Sequence, residues 1–192
     1  MISKLLPFSA LLLVGTASMT QVQSCEDPIV QANTPPPGVE DLNMTADDFQ
    51  CLTTGTPVRK YFVWNQLGHL DEALEVANTE GGGGDFPVGT ILQLAPFEAM
   101  VKRFDGFSDV TNDWEYFLLE VTEAGTIIEQ RGSDPTIGTI GVENFIGQPC
   151  QDCHALPGPE WDFTCETGHG CEPLPGPDAL IFHVQRSDPR CP

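Results

Sequence analysis

The residues with the clearest chemical potential are two cysteines and a histidine in residues 149–154, which read PCQDCH. The spacing C-x-x-C-H is the attachment signature of a c-type haem. Cys150 and Cys153 lie one helical turn apart, so their thiols can reach the two vinyl groups of one haem. His154 follows directly and can place its imidazole on the iron from the same side. We therefore expect one covalent haem c, with His154 as an axial iron ligand.

The N-terminal residues 1–24 have the three-part layout of a secretory signal. A basic start at Lys4 precedes the apolar run 5–14, and small and polar residues follow it. The apolar run is too short to cross roughly 30 Å of hydrocarbon. We expect a periplasmic or otherwise exported protein. Cys25 follows the residues V-Q-S, which loosely resemble a bacterial lipobox, so a lipid anchor on Cys25 stays open beside a disulfide.

Zinc and a structural disulfide are the competing interpretations of the C-x-x-C-H residues. Cys165, His169 and Cys171 could complete a zinc site with Cys150 and Cys153. An oxidising compartment disfavours the free thiolates that zinc needs, and neither alternative explains a histidine directly after the second cysteine. Haem attachment is the preferred interpretation, and a non-haem binding module is the alternative.

The chain contains seven cysteines. In an oxidising compartment thiols pair unless another group consumes them. Haem and lipid would consume three cysteines and leave four. We expect Cys165 to pair with Cys171, which closes a short glycine-rich loop, and Cys51 to pair with Cys191, which pins the C-terminus. The other pairings of these four stay open on sequence alone.

The charge of the chain limits its partners. The formal net charge is −20, from 28 acidic and 8 basic residues. Nucleic acid is excluded as a partner, because phosphate binding needs clustered lysine and arginine. The same field would attract a basic redox partner protein, although acidity also serves simply to keep an exported protein soluble.

We expect one folded domain over residues 43–192, preceded by a proline-rich spacer over 25–42. Thr45 and Asp48 have the spacing of a capped helix start. Apolar residues then recur at spacings of three and four, which predicts an amphipathic helix ending at Asn78. The apolar face of this helix consists of Leu67, Leu70, Leu74 and Ala77.

Stretches rich in β-branched and aromatic residues predict the strands. These stretches are 58–64, 90–95, 114–121 and 126–131, with a turn at 123–125 between the last two. For residues 58–64 a helix stays open as the alternative. A further strand is expected over residues 179–184. The number of glycines and prolines, 19 and 17, is incompatible with a bundle of long helices.

The haem motif lies late in the chain, and every methionine precedes it. An ordered series of landmarks surrounds it between about residues 66 and 163. They are the helix ending at Asn78, F-P-x-G-T at 86–90, M-V-K at 100–102, the aromatic run 114–117, the C-x-x-C-H motif, and W-D-F-T at 161–164. In this order the chain resembles the cytochrome P-460 family and its relatives, the β-type cytochromes c′.

The resemblance implies an α+β fold, with a small antiparallel sheet, flanking helices and one covalently bound haem against the sheet. It also implies that His154 is the only protein ligand of a five-coordinate iron, whose open face binds small molecules. Family members with a lysine cross-linked to haem oxidise hydroxylamine, whereas the c′-like members bind nitric oxide or carbon monoxide. The resemblance further implies a homodimer.

Two residues are candidates for catalysis on this basis. Lys102 matches a second family lysine, while Gln93 and Leu94 stand where the strand lysine of the family would be expected. The alternative for Lys102 is a solvated charge beside Arg103. Glu115 could accept a proton during substrate oxidation, but strand alternation could equally direct it to solvent.

A six-coordinate electron-transfer cytochrome is the alternative function. In that case a second histidine would bind the iron, and the candidates are His69, His169 and His183. Each of these is more often a surface or hydrogen-bonded histidine than a ligand.

Overall fold

The computed structural model describes residues 34–79, 84–133, 149–166, 168–169, 171 and 177–192. The predicted signal, Cys25 and the first part of the predicted spacer lie outside these residues. Within the described residues no helix has the length and apolar character that crossing a membrane requires.

Six strands form one antiparallel sheet in which each strand pairs with the next one in the chain. The strands are β1 (Thr56–Val58), β2 (Tyr61–Asn65), β3 (Thr90–Ala95), β4 (Glu98–Lys102), β5 (Trp114–Thr122) and β6 (Gly125–Gly132). The α-helices are α1 (Leu70–Asn78), α2 (Cys150–His154) and α3 (Asp178–Arg186). Short 3-10 turns lie at Ala46–Asp48, Leu52–Thr54 and Pro159–Trp161. The expected combination of an antiparallel sheet with helices, an α+β fold, is confirmed.

The two faces of the sheet have different coverings, because successive side chains of a strand point to opposite sides. Trp114 and Tyr116 of β5 lie on one face, against which Cys150 packs. We call it the motif face. Phe117 and Leu119 lie on the other, the N-terminal face, in one apolar cluster with Met44 from the start of the domain.

Helix α1 packs on the motif face through its small residues. Ala73 and Ala77 are buried in the same apolar cluster as Val63 and Trp114, as the predicted amphipathic pattern requires. Asp71 and Glu72 occupy the first turn, where the helix dipole favours negative charge. The predicted helix ending at Asn78 is confirmed.

The F-P-x-G-T landmark has a steric reason at its glycine. Gly89 has a φ of 84°, and a Cβ there would lie 2.6 Å from Cγ of Leu67. Only glycine combines this backbone conformation with the close approach of a neighbouring side chain. The turn then leads directly into β3.

The N-terminal face is covered by residues that include the end of the predicted spacer. Phe49 contacts Phe117 edge to face, with 5.1 Å between the ring centroids. Asp41 forms an ion pair with Arg103 at 2.7 Å, and both side chains are buried. Thr45 and Asp48 form the predicted capping box at the first 3-10 turn.

The predicted strand over residues 179–184 is wrong. These residues belong to helix α3, whose N-cap is Pro177 and whose Gln185 is buried and donates to the carbonyls of Lys60 and Leu94. The predicted strand 58–64 is confirmed over 61–64 as part of β2, but Val58 belongs to β1, because Arg59 turns the chain with a φ of 47°.

Both expected disulfides are present. Cys51 bonds to Cys191 across a sequence separation of 140, and Cys165 bonds to Cys171 across a separation of 6. The first joins the start of the described domain to its C-terminus. The second closes the loop that follows the W-D-F-T landmark.

The two disulfides should differ in their contribution to stability. Replacing Cys51 and Cys191 together with alanine should lower the free energy of unfolding by about 5 kcal/mol, and replacing Cys165 and Cys171 by about 2 kcal/mol, because the entropy removed from the unfolded chain grows with loop length. Urea unfolding of the two double variants measures both losses. An equal loss, or a larger one for the short loop, would contradict this expectation.

Candidate functional site

The C-x-x-C-H residues form the short helix α2, which lies against the motif face. Cys150 packs on the apolar cluster of that face, and Cys150 and Cys153 are free thiols in the described part of the chain. Burial, with smaller contributions from Glu98 and Cys153, raises the pKa of Cys150 to about 12. The unligated Cys150 side chain is therefore a thiol at neutral pH.

One ring nitrogen of His154 is hydrogen-bonded to the backbone. Its Nδ1 lies 2.8 Å from the carbonyl oxygen of Phe163, and a carbonyl accepts only from a protonated nitrogen. Burial lowers the pKa of His154, against the smaller opposing effect of that hydrogen bond. The imidazole is therefore neutral, with the proton on Nδ1 and the lone pair of Nε2 free to bind a metal.

Tyr116 fixes α2 to the sheet. Its hydroxyl donates to Oε1 of Gln151 at 2.8 Å, and Gln151 in turn donates to the carbonyl of Val110 at 2.9 Å. The Tyr116 ring also lies beside the His154 ring, with 5.1 Å between centroids. Burial raises the pKa of Tyr116 well above its ordinary value, so the hydroxyl keeps its donor proton.

Lys102 lies on the motif face and is 6 % exposed, so the interpretation as a solvated charge is wrong. Its Nζ lies 2.7 and 2.8 Å from the two carboxylate oxygens of Asp162, which is fully buried. Burial raises the pKa of Asp162, and the Lys102 ammonium opposes this rise. The sequence gave no sign of this partner of Lys102.

Glu115 lies on the N-terminal face, because it is one residue away from Trp114 and Tyr116 on β5. It is buried, not solvated, between the guanidinium groups of Arg103 and Arg131. Arg131 also donates to the carbonyl of Met44. The structure therefore does not bring Glu115 together with His154, and the surroundings of Glu115 are those of a residue that holds the N-terminal segment on the sheet.

Two of the other histidines have partners away from α2, and the third is exposed. His169 stacks on Trp161 with 3.7 Å between ring centroids, and its Nδ1 lies 2.9 Å from the carbonyl of Thr164. His69 pairs with Glu40 at 3.0 Å. His183 is exposed on α3.

The side chains expected for a zinc site are not gathered around one point in the described part of the chain. The one group of three possible ligand side chains there whose ligand atoms lie within 4.8 Å of one another consists of Cys51, Asp188 and Cys191, and its two cysteines are bonded to each other. Cys165 and Cys171 are bonded to each other, which removes them from the proposed zinc set.

A cleft of about 330 Å³ lies on the N-terminal face. Its lining includes Trp64, Ile91 and Gln93 from the sheet and Met44 and Phe49 from the N-terminal segment. The cleft is separated from His154 by the sheet itself, so it does not extend the site at α2.

Comparison of the chain with protein-family models, with curated proteins and with solved structures finds no match.

Sequence reasoning missed three residues that shape the site: Tyr116, Gln151 and Asp162. Tyr116 and Asp162 lie within the aromatic run and the W-D-F-T landmark, but neither was given a role. Their roles depend on partners 35 to 60 positions away. Spacing along the chain carries no signal for such contacts.

The position of Glu115 yields a prediction that separates a structural role from a catalytic one. Replacing Glu115 with glutamine should lower the free energy of unfolding by about 3–5 kcal/mol, because the buried Arg103 and the partly exposed Arg131 lose the buried carboxylate that they share. The matched control is Glu120→Gln on the same strand, which is exposed and should change stability by less than about 0.5 kcal/mol. Thermal or urea unfolding measures both; equal effects would contradict the structural role.

Proposed function

We propose that this chain is an exported mono-haem c-type cytochrome whose iron is five-coordinate and binds or oxidises a small nitrogen compound, hydroxylamine or nitric oxide. The observation that carries the proposal is the state of His154. Its Nδ1–H is bonded to the Phe163 carbonyl and its Nε2 is free, directly after two free thiols on one helical turn. This is the arrangement by which proteins orient a metal-binding imidazole.

The roles of the chain's own residues follow from their contacts. Cys150 and Cys153 would hold the porphyrin through thioether bonds, and Tyr116 orients α2 and the His154 ring against the sheet. When bound, the haem supplies an iron whose remaining coordination position takes the nitrogen ligand. The resemblance to the cytochrome P-460 family supports the same assignment.

The engagement of the other histidines favours five-coordinate iron over an electron carrier with two histidine ligands. His69 and His183 are held at the surface, and His169 is fixed by a hydrogen bond and a ring stack. The same proposal includes a periplasmic location, a lipid on Cys25, a homodimer and a basic redox partner protein.

Haem attachment can be tested with matched pairs of cysteines. Expressed with a cytochrome c maturation system, the chain should give a c-type pyridine haemochrome and the added mass of one porphyrin. Cys150→Ala with Cys153→Ala should abolish both signals. Cys165→Ala with Cys171→Ala is the control and should retain them, because that pair forms a disulfide. If the wild-type chain is produced under these conditions without the added mass of a porphyrin, the proposal is wrong.

The coordination state gives a separate test. The ferrous protein should have a high-spin spectrum, and carbon monoxide or nitric oxide should shift its main absorption band. The variants His69→Ala, His169→Ala and His183→Ala should keep the wild-type spectrum, because none of these residues is expected to bind iron. A low-spin wild type that one of the three variants converts to high spin would establish the electron-transfer alternative.

A further inference from the structure

The carbonyl that accepts the His154 hydrogen bond belongs to a turn with an unusual backbone. Asp162 and Phe163 are consecutive, neither is glycine, and their φ angles are 45° and 54°. Asparagine and aspartate tolerate this left-handed region, but a bulky residue such as phenylalanine rarely adopts it. Such a conformation persists only where surrounding contacts enforce it.

Asp162 supplies those contacts. Its buried carboxylate accepts hydrogen bonds from the Phe86 amide at 2.8 Å, from Asn112 Nδ2 at 2.6 Å and from Lys102 Nζ. Its carbonyl accepts from the indole Nε1 of Trp114 at 2.9 Å. Asp162, which precedes Phe163, is therefore held in place through both its side chain and its backbone carbonyl.

Lys102 is the positively charged member of this arrangement, and its ammonium group is already engaged in hydrogen bonds. Nζ donates to both carboxylate oxygens of Asp162 and to the carbonyl of Asn112 at 2.8 Å. It also lies 5.2 Å from the ring centroid of Trp114. A covalent bond from Nζ to a haem ring would require Lys102 to give up these partners and leave the buried Asp162 carboxylate without its counter-charge.

We propose that Lys102 and Asp162 are positioning residues, which hold the Phe163 carbonyl in place for Nδ1–H of His154 and so set the basicity of the axial imidazole. This inference rests on the proposed function. A hydrogen bond from the outer nitrogen strengthens an imidazole as a ligand and fixes its tautomer. Loss of the ion pair should free the turn to relax and weaken that hydrogen bond.

Three variants test the inference. Asp162→Asn keeps a residue that tolerates the left-handed backbone and removes only the charge. Lys102→Met removes the opposite charge, and the double variant leaves no unpaired buried charge, which protects folding. The control is Asp188→Asn, because Asp188 is likewise buried, paired with an arginine and bonded to a backbone amide, that of Leu52.

Two measurements on the purified full chain report on the hydrogen bond. Resonance Raman spectroscopy of the ferrous protein gives the iron–histidine stretching frequency. NMR gives the exchange rate of the His154 Nδ1 proton. It can be recorded on the ferrous protein with bound carbon monoxide, which is diamagnetic, or on haem-free protein. The second measurement does not need haem, so failure of haem attachment and failure of this inference are distinguishable.

All three variants should lower the iron–histidine frequency and accelerate exchange of the Nδ1 proton by about tenfold, the order expected for loss of one hydrogen bond. Asp188→Asn should lower the melting temperature and leave both readouts at wild-type values. Wild-type readouts in the Lys102 and Asp162 variants would overturn the inference, and so would equal changes in the Asp188 control.

Discussion

The hydrogen bond between Nδ1 of His154 and the carbonyl of Phe163 is the interaction on which the candidate site depends. It settles the tautomer of the imidazole and leaves Nε2 free. A five-residue helix such as α2 cannot fix the orientation of a side chain at its own end, because its terminal groups lack partners within the helix. The turn at 162–163 and Tyr116 of the sheet provide that constraint from outside.

The few basic residues of the chain account for many of the other contacts that hold the fold together. Of the seven basic residues that the structure describes, six form ion pairs, and they are Arg59, Lys60, Lys102, Arg103, Arg131 and Arg190. Lys102, Arg103 and Arg190 are buried with their carboxylate partners, where losing one charge costs more than at a surface. In a chain of net charge −20, these three basic residues are therefore paired inside the protein and do not neutralise acidic groups on its surface.

Patterns confined to neighbouring residues were predicted well from the sequence. The helix ending at Asn78 and the hairpin from Trp114 were visible as periodicity and β-propensity. The two expected disulfides are also present, although the sequence alone left other pairings of the same cysteines open. The helix α3 was missed because its run of Leu180, Ile181, Phe182 and Val184 resembles a strand, whereas its start after Pro177 and its buried Gln185 depend on contacts with the sheet. The Lys102–Asp162 pair joins residues 60 positions apart, and no local pattern reports it.

The segment that carries the candidate site is attached to the sheet by a few directed contacts, in addition to the packing of Cys150 and Phe163 on its apolar cluster. Gln151 meets Tyr116, Asp162 meets Lys102, and Glu166 meets Arg59 at 2.6 Å. Directed contacts of this kind fix an orientation more strongly than they add stability, because the cost of removing their charges from water offsets the attraction. Under the proposed function, the thioether bonds would retain the haem, so the surrounding residues need only orient His154. That division explains why a short helix and a strained turn suffice to build the site.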